Sequence, residues 1–292
     1  MGEAPCHDNL GRSNFVFINI FGIINTMIKV LVSGAAGKMG REVIKALKKE
    51  TDMKLVGAVD LAMVGIDAGE DAGVGPAGVE ISKNLKAAIN DSRPDVVIDF
   101  THPNVAMMNA KVILDSKVHA VIGTTGLTDE NISAIKKLCA KNKVNCIIAP
   151  NFAIGAVLMM MFSKTAAKYM PNVEIIELHH DKKVDAPSGT ALKTAELILQ
   201  SEAAKGIVKG KNAEIEKLDG ARGGNMQGIH IHSVRLPGLV AHQEVIFGGT
   251  GQTLTIRHDS LSRESFMPGV IMAVRKVRSI DGLIYGLENL LA

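Results

Sequence analysis

One stretch of fifteen residues gathers side chains that could move a proton and seat an anion together. ELHHDKKVDAPSGTA, Glu177–Ala191, places two histidines, two lysines and two aspartates ahead of a Pro-Ser-Gly-Thr turn and an apolar helical pattern. Three chemistries fit: a metal site, a solvated charged loop, or a proton donor beside an anion cradle. If VEIIELHH is a strand, His179 and His180 point to opposite faces and cannot easily share a metal. No C-x-x-C or H-x-x-x-H pattern lies nearby, so zinc is disfavoured and no metal site is expected. His230 and His232 share a face of a later strand but lack a third ligand, so polar packing or an interface is expected.

The cradle has a physical basis. Ser188 or Thr190 can cap the helix that follows Pro187. The N–H groups of Gly189 and Thr190, with the hydroxyls, then suit a carboxylate. Lys183 can add a full positive charge, and a histidine can act as general acid because its ordinary pKa, about 6.5, lies near working pH. A solvated loop followed by a routine helix cap remains open on these residues alone.

A second cluster lies upstream. Gly34-Ala35-Ala36-Gly37-Lys38-Met39-Gly40 follows the strand-like IKVLVSG and opens KMGREVIKALKK, whose Met39, Val43, Ile44 and Leu47 fall on one helical face. Glycines there let the backbone approach a pyrophosphate at a helix N-terminus. The spacing is G-x-x-G-x-x-G, and Asp60 ends the next strand, MKLVGAVD, where an acid can bond an adenosine ribose. Asp60 repels a 2′-phosphate and Leu61 follows it, which favours NADH. Lys38 and Arg41 soften that preference, so NADPH use stays open. GTTG (Gly123, Thr124, Thr125, Gly126) and APNF (Ala149, Pro150, Asn151, Phe152) end later strands, where an open α/β sheet presents its crevice. Ordinary loop chemistry explains them equally well.

The elements that must position these residues alternate. Up to about Asn151, apolar strand-like runs are separated by helical segments around Val105–Asp115 and Asp129–Lys141, which argues a parallel sheet covered on both faces. Residues 61–80 are Gly-rich and read as an irregular, mobile loop. Beyond Asn151 a long helix (IGAVLMMMFSKTAAKYM), a strand, a helix (TALKTAELILQSEAA) and three strands with short turns suggest a mixed sheet with helices on one side. FMPGVIMAVRKVRSI and GLIYGLENLLA read as terminal helices. The expected division is an extension at 1–26, a Rossmann-like dinucleotide-binding domain at 27–151, an α+β substrate and oligomerisation domain at 152–258, and C-terminal helices at 259–292 packing back on the first domain.

Bulk properties exclude other classes. The 292 residues are 47% hydrophobic, 22% charged and 3% aromatic without Trp, with net charge +3. No stacking platform or long basic block speaks for nucleic acid. FVFINIFGII is about half the ~20 residues a membrane span requires and lacks the flanks of a signal peptide. Residues 1–26 therefore read as a dispensable extension. Cys6, Cys139 and Cys146 form no disulfide pattern, which fits a cytoplasmic protein.

ELHHDKKVDAPSGTA resembles the E-x-H-H-x-x-K-x-D-A-P-S-G-T-A signature of the dihydrodipicolinate reductase family. GAAGKMG, DFTHP, VIGTTG and APNF match further family blocks in order, so the resemblance covers Met27 to Ala292. It implies NAD(P)H-dependent reduction of 4-hydroxy-tetrahydrodipicolinate/dihydrodipicolinate, a small cyclic dicarboxylate, in the diaminopimelate route to lysine, by a homotetramer. His179 would be the proton donor/acceptor, with Lys183 as second donor or electrostatic stabiliser. His180, Gly189 and Thr190 would hold carboxylates, supported by Ser188. Gly34 to Met39 would meet the pyrophosphate and Asp60 the ribose, while Gly123 to Thr125 and Ala149 to Phe152 line the nicotinamide side. His102 stands where some members carry Arg. An aspartate-semialdehyde dehydrogenase would need a cysteine nucleophile, and none follows Cys146. A nucleotide sensor without chemistry would have damaged catalytic positions, and these are intact.

Overall fold

The computed structural model describes residues 27–200 and 215–291. The expected extension at 1–26 and the end of the expected helix past residue 200 lie outside the described residues. Strands β1 (Ile28–Ser33), β2 (Met53–Val59), β3 (Ile81–Ser82), β4 (Val96–Asp99), β5 (His119–Ile122) and β6 (Cys146–Ile148) form a parallel sheet ordered β6-β5-β4-β1-β2-β3. Helices α1 (Lys38–Lys49), α2 (Ala68–Ala72), α3 (Leu85–Ser92), α4 (Pro103–Asp115) and α5 (Asp129–Asn142) connect them. Successive strand residues enter opposite cores, because side chains alternate across a pleated sheet. Val30, Val32, Val96, Ile98, Val121 and Ile147 pack with Val43 and Ile44 of α1. Leu31, Val97, Ala120 and Ile148 pack with Ile113, Leu114, Ile135 and Cys139 of α4 and α5. Burial on both faces is why these strands read as unbroken apolar runs. Chain order reverses between β1 and β4, which opens a crevice at their carboxyl ends.

The second domain contains α6 (Ile154–Ala166), β7 (Asn172–His179), α7 (Gly189–Leu199), β8 (Gly224–Met226), β9 (Ile229–Arg235), β10 (Ala241–Gly249) and β11 (Gln252–Ser260). Its sheet, ordered β11-β10-β7-β9-β8, is parallel only between β7 and β9. Helices α6 and α7 cover one face, burying Val245 and Phe247 of β10, while the alternating Glu244 and Ile246 stay partly exposed. Met159 and Met160 of the methionine run lie in this core.

Two expectations need correcting. The tail does not return wholly to helix: after α8 (Met267–Lys276), Leu283–Tyr285 forms β12, parallel to β6 at the edge of the first sheet, before α9 (Glu288–Leu291). β12 covers the edge that β6 would otherwise expose. Val270 and Val274 of α8 complete the core beside α1, and Arg275 grips Asp52 with two bonds of 2.8 Å. Residues 61–80 are not irregular throughout either. Asp67 caps α2 and accepts N–H bonds from Gly69, Glu70, Ala77, Gly78 and Val79, folding the glycine-rich stretch around one carboxylate.

Candidate active site

At the crevice, the chain leaves β1 through Gly34, whose φ of +82° few other residues adopt. A Cβ there would sit 2.5 Å from the Phe100 carbonyl oxygen, and one on Gly40 would sit 2.0 Å from the Gly34 oxygen. The loop is therefore pressed against β4 and α1, with Gly37 at the helix N-cap and no side chain blocking the helix start. Asp60 closes the loop from β2: its Oδ2 accepts from Ala36 N–H at 3.0 Å and its Oδ1 from Ala62 N–H at 2.9 Å. A groove of about 560 Å³ runs past Gly34, Gly37, Asp60, Lys83, Lys86 and His102. The bare helix start, the tight glycine loop and the acid beside it fit a dinucleotide.

Cation placement differs from the sequence expectation. Arg41 is committed to Asp71 through two 2.9 Å bonds, whereas Lys38 stays exposed. Lys83 and Lys86 are the lysines that line the groove with Asp60, and Lys83 is brought there because Ser82 pairs with Val59 and accepts Asp60 N–H. His102 caps α4, its Nδ1 accepting from Asn104 N–H at 3.3 Å. Behind these loops Asp99 is fully buried and accepts from Thr101 Oγ1 (2.7 Å), Thr124 Oγ1 (3.0 Å) and Asn109 Nδ2 (2.8 Å). It thereby joins the loop after β4 to the one after β5. Gly123 packs so tightly on the Phe100 ring that a Cβ would clash at 2.0 Å.

A second cavity, about 760 Å³, lies between the domains. Thr125, Pro150 and Asn151 line it from the first domain; His179, Lys183, Ser188, Gly189 and Thr190 line it from the second. Ala149 and Phe152 are buried instead, Phe152 against Phe100 at 5.8 Å between ring centroids. Thr124 is likewise buried, on Asp99. His180 does not line the cavity, and its Nδ1 is buried without a partner.

Local chemistry explains the second-domain wall. Ser188 Oγ accepts from Ala191 N–H at 3.2 Å, which leaves Gly189 and Thr190 at the start of α7 without an intrahelical partner for their N–H groups. Gly189 faces open space. At the end of β7, Glu177 is 0% exposed and takes bonds from His179 Nδ1 (2.5 Å), Arg235 Nη1 and Nη2 (2.7 Å each) and Ser188 N–H (3.1 Å). Burial alone would push this carboxyl up, but the bonds from His179, Arg235 and Ser233 outweigh it and hold it at about 2. An ionised carboxylate can only accept, so His179 carries its proton on Nδ1 toward Glu177 and has Nε2 left for exchange. Lys183 Nζ lies 2.8 Å from both oxygens of Asp185, and that ammonium holds the Asp185 carboxyl below its usual range. Elsewhere His232 bonds Glu174 at 2.8 Å and His230 bonds the Arg222 carbonyl at 2.7 Å, as polar packing would have it.

Glu177, Asp185, Arg235, Asp99 and Lys83 were not singled out from the sequence. The glutamate stands in the signature itself, two residues before His179 on the same face of a strand. That spacing is the signal that could have found it. Arg235 joins it only through the pairing of β7 with β9.

A parallel dinucleotide-binding sheet, opening at its carboxyl ends toward a histidine and a lysine on a second domain, defines an NAD(P)H-dependent oxidoreductase. The family models "Dihydrodipicolinate reductase, N-terminus" and "Dihydrodipicolinate reductase, C-terminus" match residues 28–152 and 155–291. The chain belongs to the dihydrodipicolinate reductase family. It is 57% identical over 265 residues to a 4-hydroxy-tetrahydrodipicolinate reductase of Desulfitobacterium hafniense, covering 90% of this chain and 98% of the relative. A protein of the same name from Moorella thermoacetica is 52% identical over 264 residues, covering 90% and 98%. The dipicolinate-bound dihydrodipicolinate reductase from Paenisporosarcina sp. TG-14 superimposes with a TM-score of 0.79 at 47% identity, covering 90% of this chain and 99% of that one.

Proposed function

We propose that this chain reduces 4-hydroxy-tetrahydrodipicolinate/dihydrodipicolinate to tetrahydrodipicolinate, the reductive step of the diaminopimelate route to lysine. The observation that carries this is the interdomain cavity, where Asn151 and Thr125 face His179, Lys183 and the start of α7. The names of the relatives, and the dipicolinate held by the Paenisporosarcina enzyme, support a ring dicarboxylate as the occupant.

When bound, a reduced nicotinamide supplies the hydride to ring carbon C4. The protein's part is to bind, align and protonate. Gly34 to Met39 and Asp60 hold the pyrophosphate and ribose, while Gly123 to Thr125 and Ala149 to Phe152 shape the nicotinamide end. The N–H groups of Gly189 and Thr190 take one carboxylate. Lys183, released from Asp185, balances the other and the negative charge that develops on the ring. His180 is read as a further carboxylate contact from its place in the signature alone, since it stands off the cavity wall. His179 delivers the proton from Nε2. Holding the reacting carbons about 3–3.5 Å apart removes much of the entropic barrier. NADH is favoured by Asp60, and Lys83 admits NADPH.

The partly exposed face of the second sheet supports a homotetramer, and the reduced, buried Cys139 and Cys146 support a cytoplasmic setting. No helix among the described residues is long and apolar enough to cross a membrane.

The test is a coupled assay with the product of the preceding synthase and each cofactor separately, on the wild type, His179→Ala and Lys183→Ala. General acid catalysis contributes roughly 10²–10⁴-fold, so kcat should fall by that order in both variants while NADH binding persists. Wild-type turnover in both would sink the assignment.

A further inference from the structure

We infer that Glu177 and Arg235 are positioning residues, one buried ion pair that orients the proton donor and seats both walls of the carboxylate site. The inference rests on the reading of His179 as the group that exchanges the proton. Neither side chain lines the interdomain cavity, yet together they bond His179, the Ser188 N–H and the Asp185 carbonyl beside it. One oxygen of Glu177 takes His179 Nδ1; the other takes the backbone N–H of Ser188, which caps α7. Arg235 bridges both oxygens, and its Nη2 also donates to the Asp185 carbonyl at 2.6 Å. Asp185 in turn carries Lys183. The donor at the end of β7, the loop with Lys183 and the first turn of α7 are thus referred to one fixed carboxylate.

Such a pair could serve only to hold β9 against β7. Cross-strand register alone, however, does not require the side chain of residue 177 to point its second oxygen at Ser188, 11 residues onward. Nor does it require the fork of Arg235 to reach past its own strand to Asp185. These bonds make sense if the carboxylate fixes the ring. A carboxylate accepts only, so it keeps a proton on Nδ1 and leaves Nε2 as the nitrogen that takes up the second proton and delivers it. An amide at position 177 can turn its NH2 toward the ring and reverse that tautomer without changing size.

The experiment is a double-mutant cycle in the full-length enzyme, using Glu177→Gln, His179→Ala and the pair, with ¹⁵N spectra of the imidazoles assigned by loss of the His179 signals. Glu177→Gln should lower kcat about tenfold or more, the range expected when a general acid is misaligned, with NADH affinity unchanged. Its His179 nitrogens should move away from the Nδ1-protonated pattern. In the His179→Ala background the same change should cost much less, only what passes through Ser188 and Asp185, because residues acting through one another are not additive. If Glu177→Gln does not fold, Arg235→Lys takes its place in the cycle, with the same expectation. Additive losses, or unchanged kcat and ring signals in Glu177→Gln, would overturn the inference while leaving the reaction assignment intact. Wild-type turnover in His179→Ala would overturn both.

Discussion

Asn151 Nδ2 donates to Thr190 Oγ1 across 3.4 Å, joining the loop after β6 in the first domain to the first turn of α7 in the second. Asn151 is itself held by Ala153 N–H on its Oδ1 at 2.9 Å. A neutral hydrogen bond contributes about 0.5–1.5 kcal/mol net, so Asn151→Ala should raise KM for dicarboxylate and cofactor roughly two- to tenfold each, with a smaller effect on kcat. Steady-state kinetics with each substrate varied in turn checks this. An unchanged KM for both would mean that the two domains close without this contact.

Cofactor choice should be separable at two neighbouring positions. Asp60 accepts two backbone bonds at the loop where the adenosine ribose would lie, and Lys83 lines the same groove. A hydrogen bond to a charged group contributes about 1.5–3 kcal/mol, so Asp60→Ala should lower kcat/KM for NADH roughly ten- to hundredfold and move the NADH/NADPH ratio toward NADPH. Lys83→Glu should do the reverse, costing NADPH severalfold and sparing NADH. Ratios that do not move in either variant would take both residues out of the ribose site.

Acid should loosen the 61–80 segment through Asp67. Bonds from the Ala77 N–H and its neighbours outweigh burial and lower this carboxyl from its ordinary 3.8 to about 2. The folded pKa lies below the unfolded one, so the stabilisation is complete above about pH 4 and is lost as pH falls toward 2. Asp67→Asn should lower Tm by several degrees at neutral pH, since each kcal/mol is worth about 2–4 °C at this chain size. The gap from wild type should shrink as pH drops below 4. A gap that stays constant down to pH 2.5 would show that the carboxylate's charge is not what holds the loop.

Local pattern carried much of the site. Gly34, Gly37 and Asp60 could be placed because a strand, a turn, a helix and a second strand follow one another directly. His179, Lys183 and Ser188–Thr190 share one short stretch, so a strand end and a helix start were enough to relate them. What stayed hidden depended on pairing at long range. Arg235 reaches Glu177 across 58 residues, and Lys83 comes to line the groove with Asp60 because the two-residue β3 lies against β2. Asp67 was masked by the glycines it organises, since five donors converging on one acid leave no periodic trace. β12 is three residues long, too short for alternation, and the helix-forming Glu288–Leu291 beside it pulled the reading toward helix.

β12 makes the second domain an insertion within the first rather than a module appended to it. Gly282 N–H bonds Asn145 Oδ1 across 137 residues of chain, and β12 then lies along β6. During synthesis the nucleotide-binding half must therefore wait, with one sheet edge bare and the surface under α8 uncovered, until the whole of the second domain has been made. A fragment ending near residue 152 should be sticky rather than autonomous, because a bare parallel edge is a template for pairing with other chains. The order of assembly consequently couples the two halves of the site before any ligand arrives.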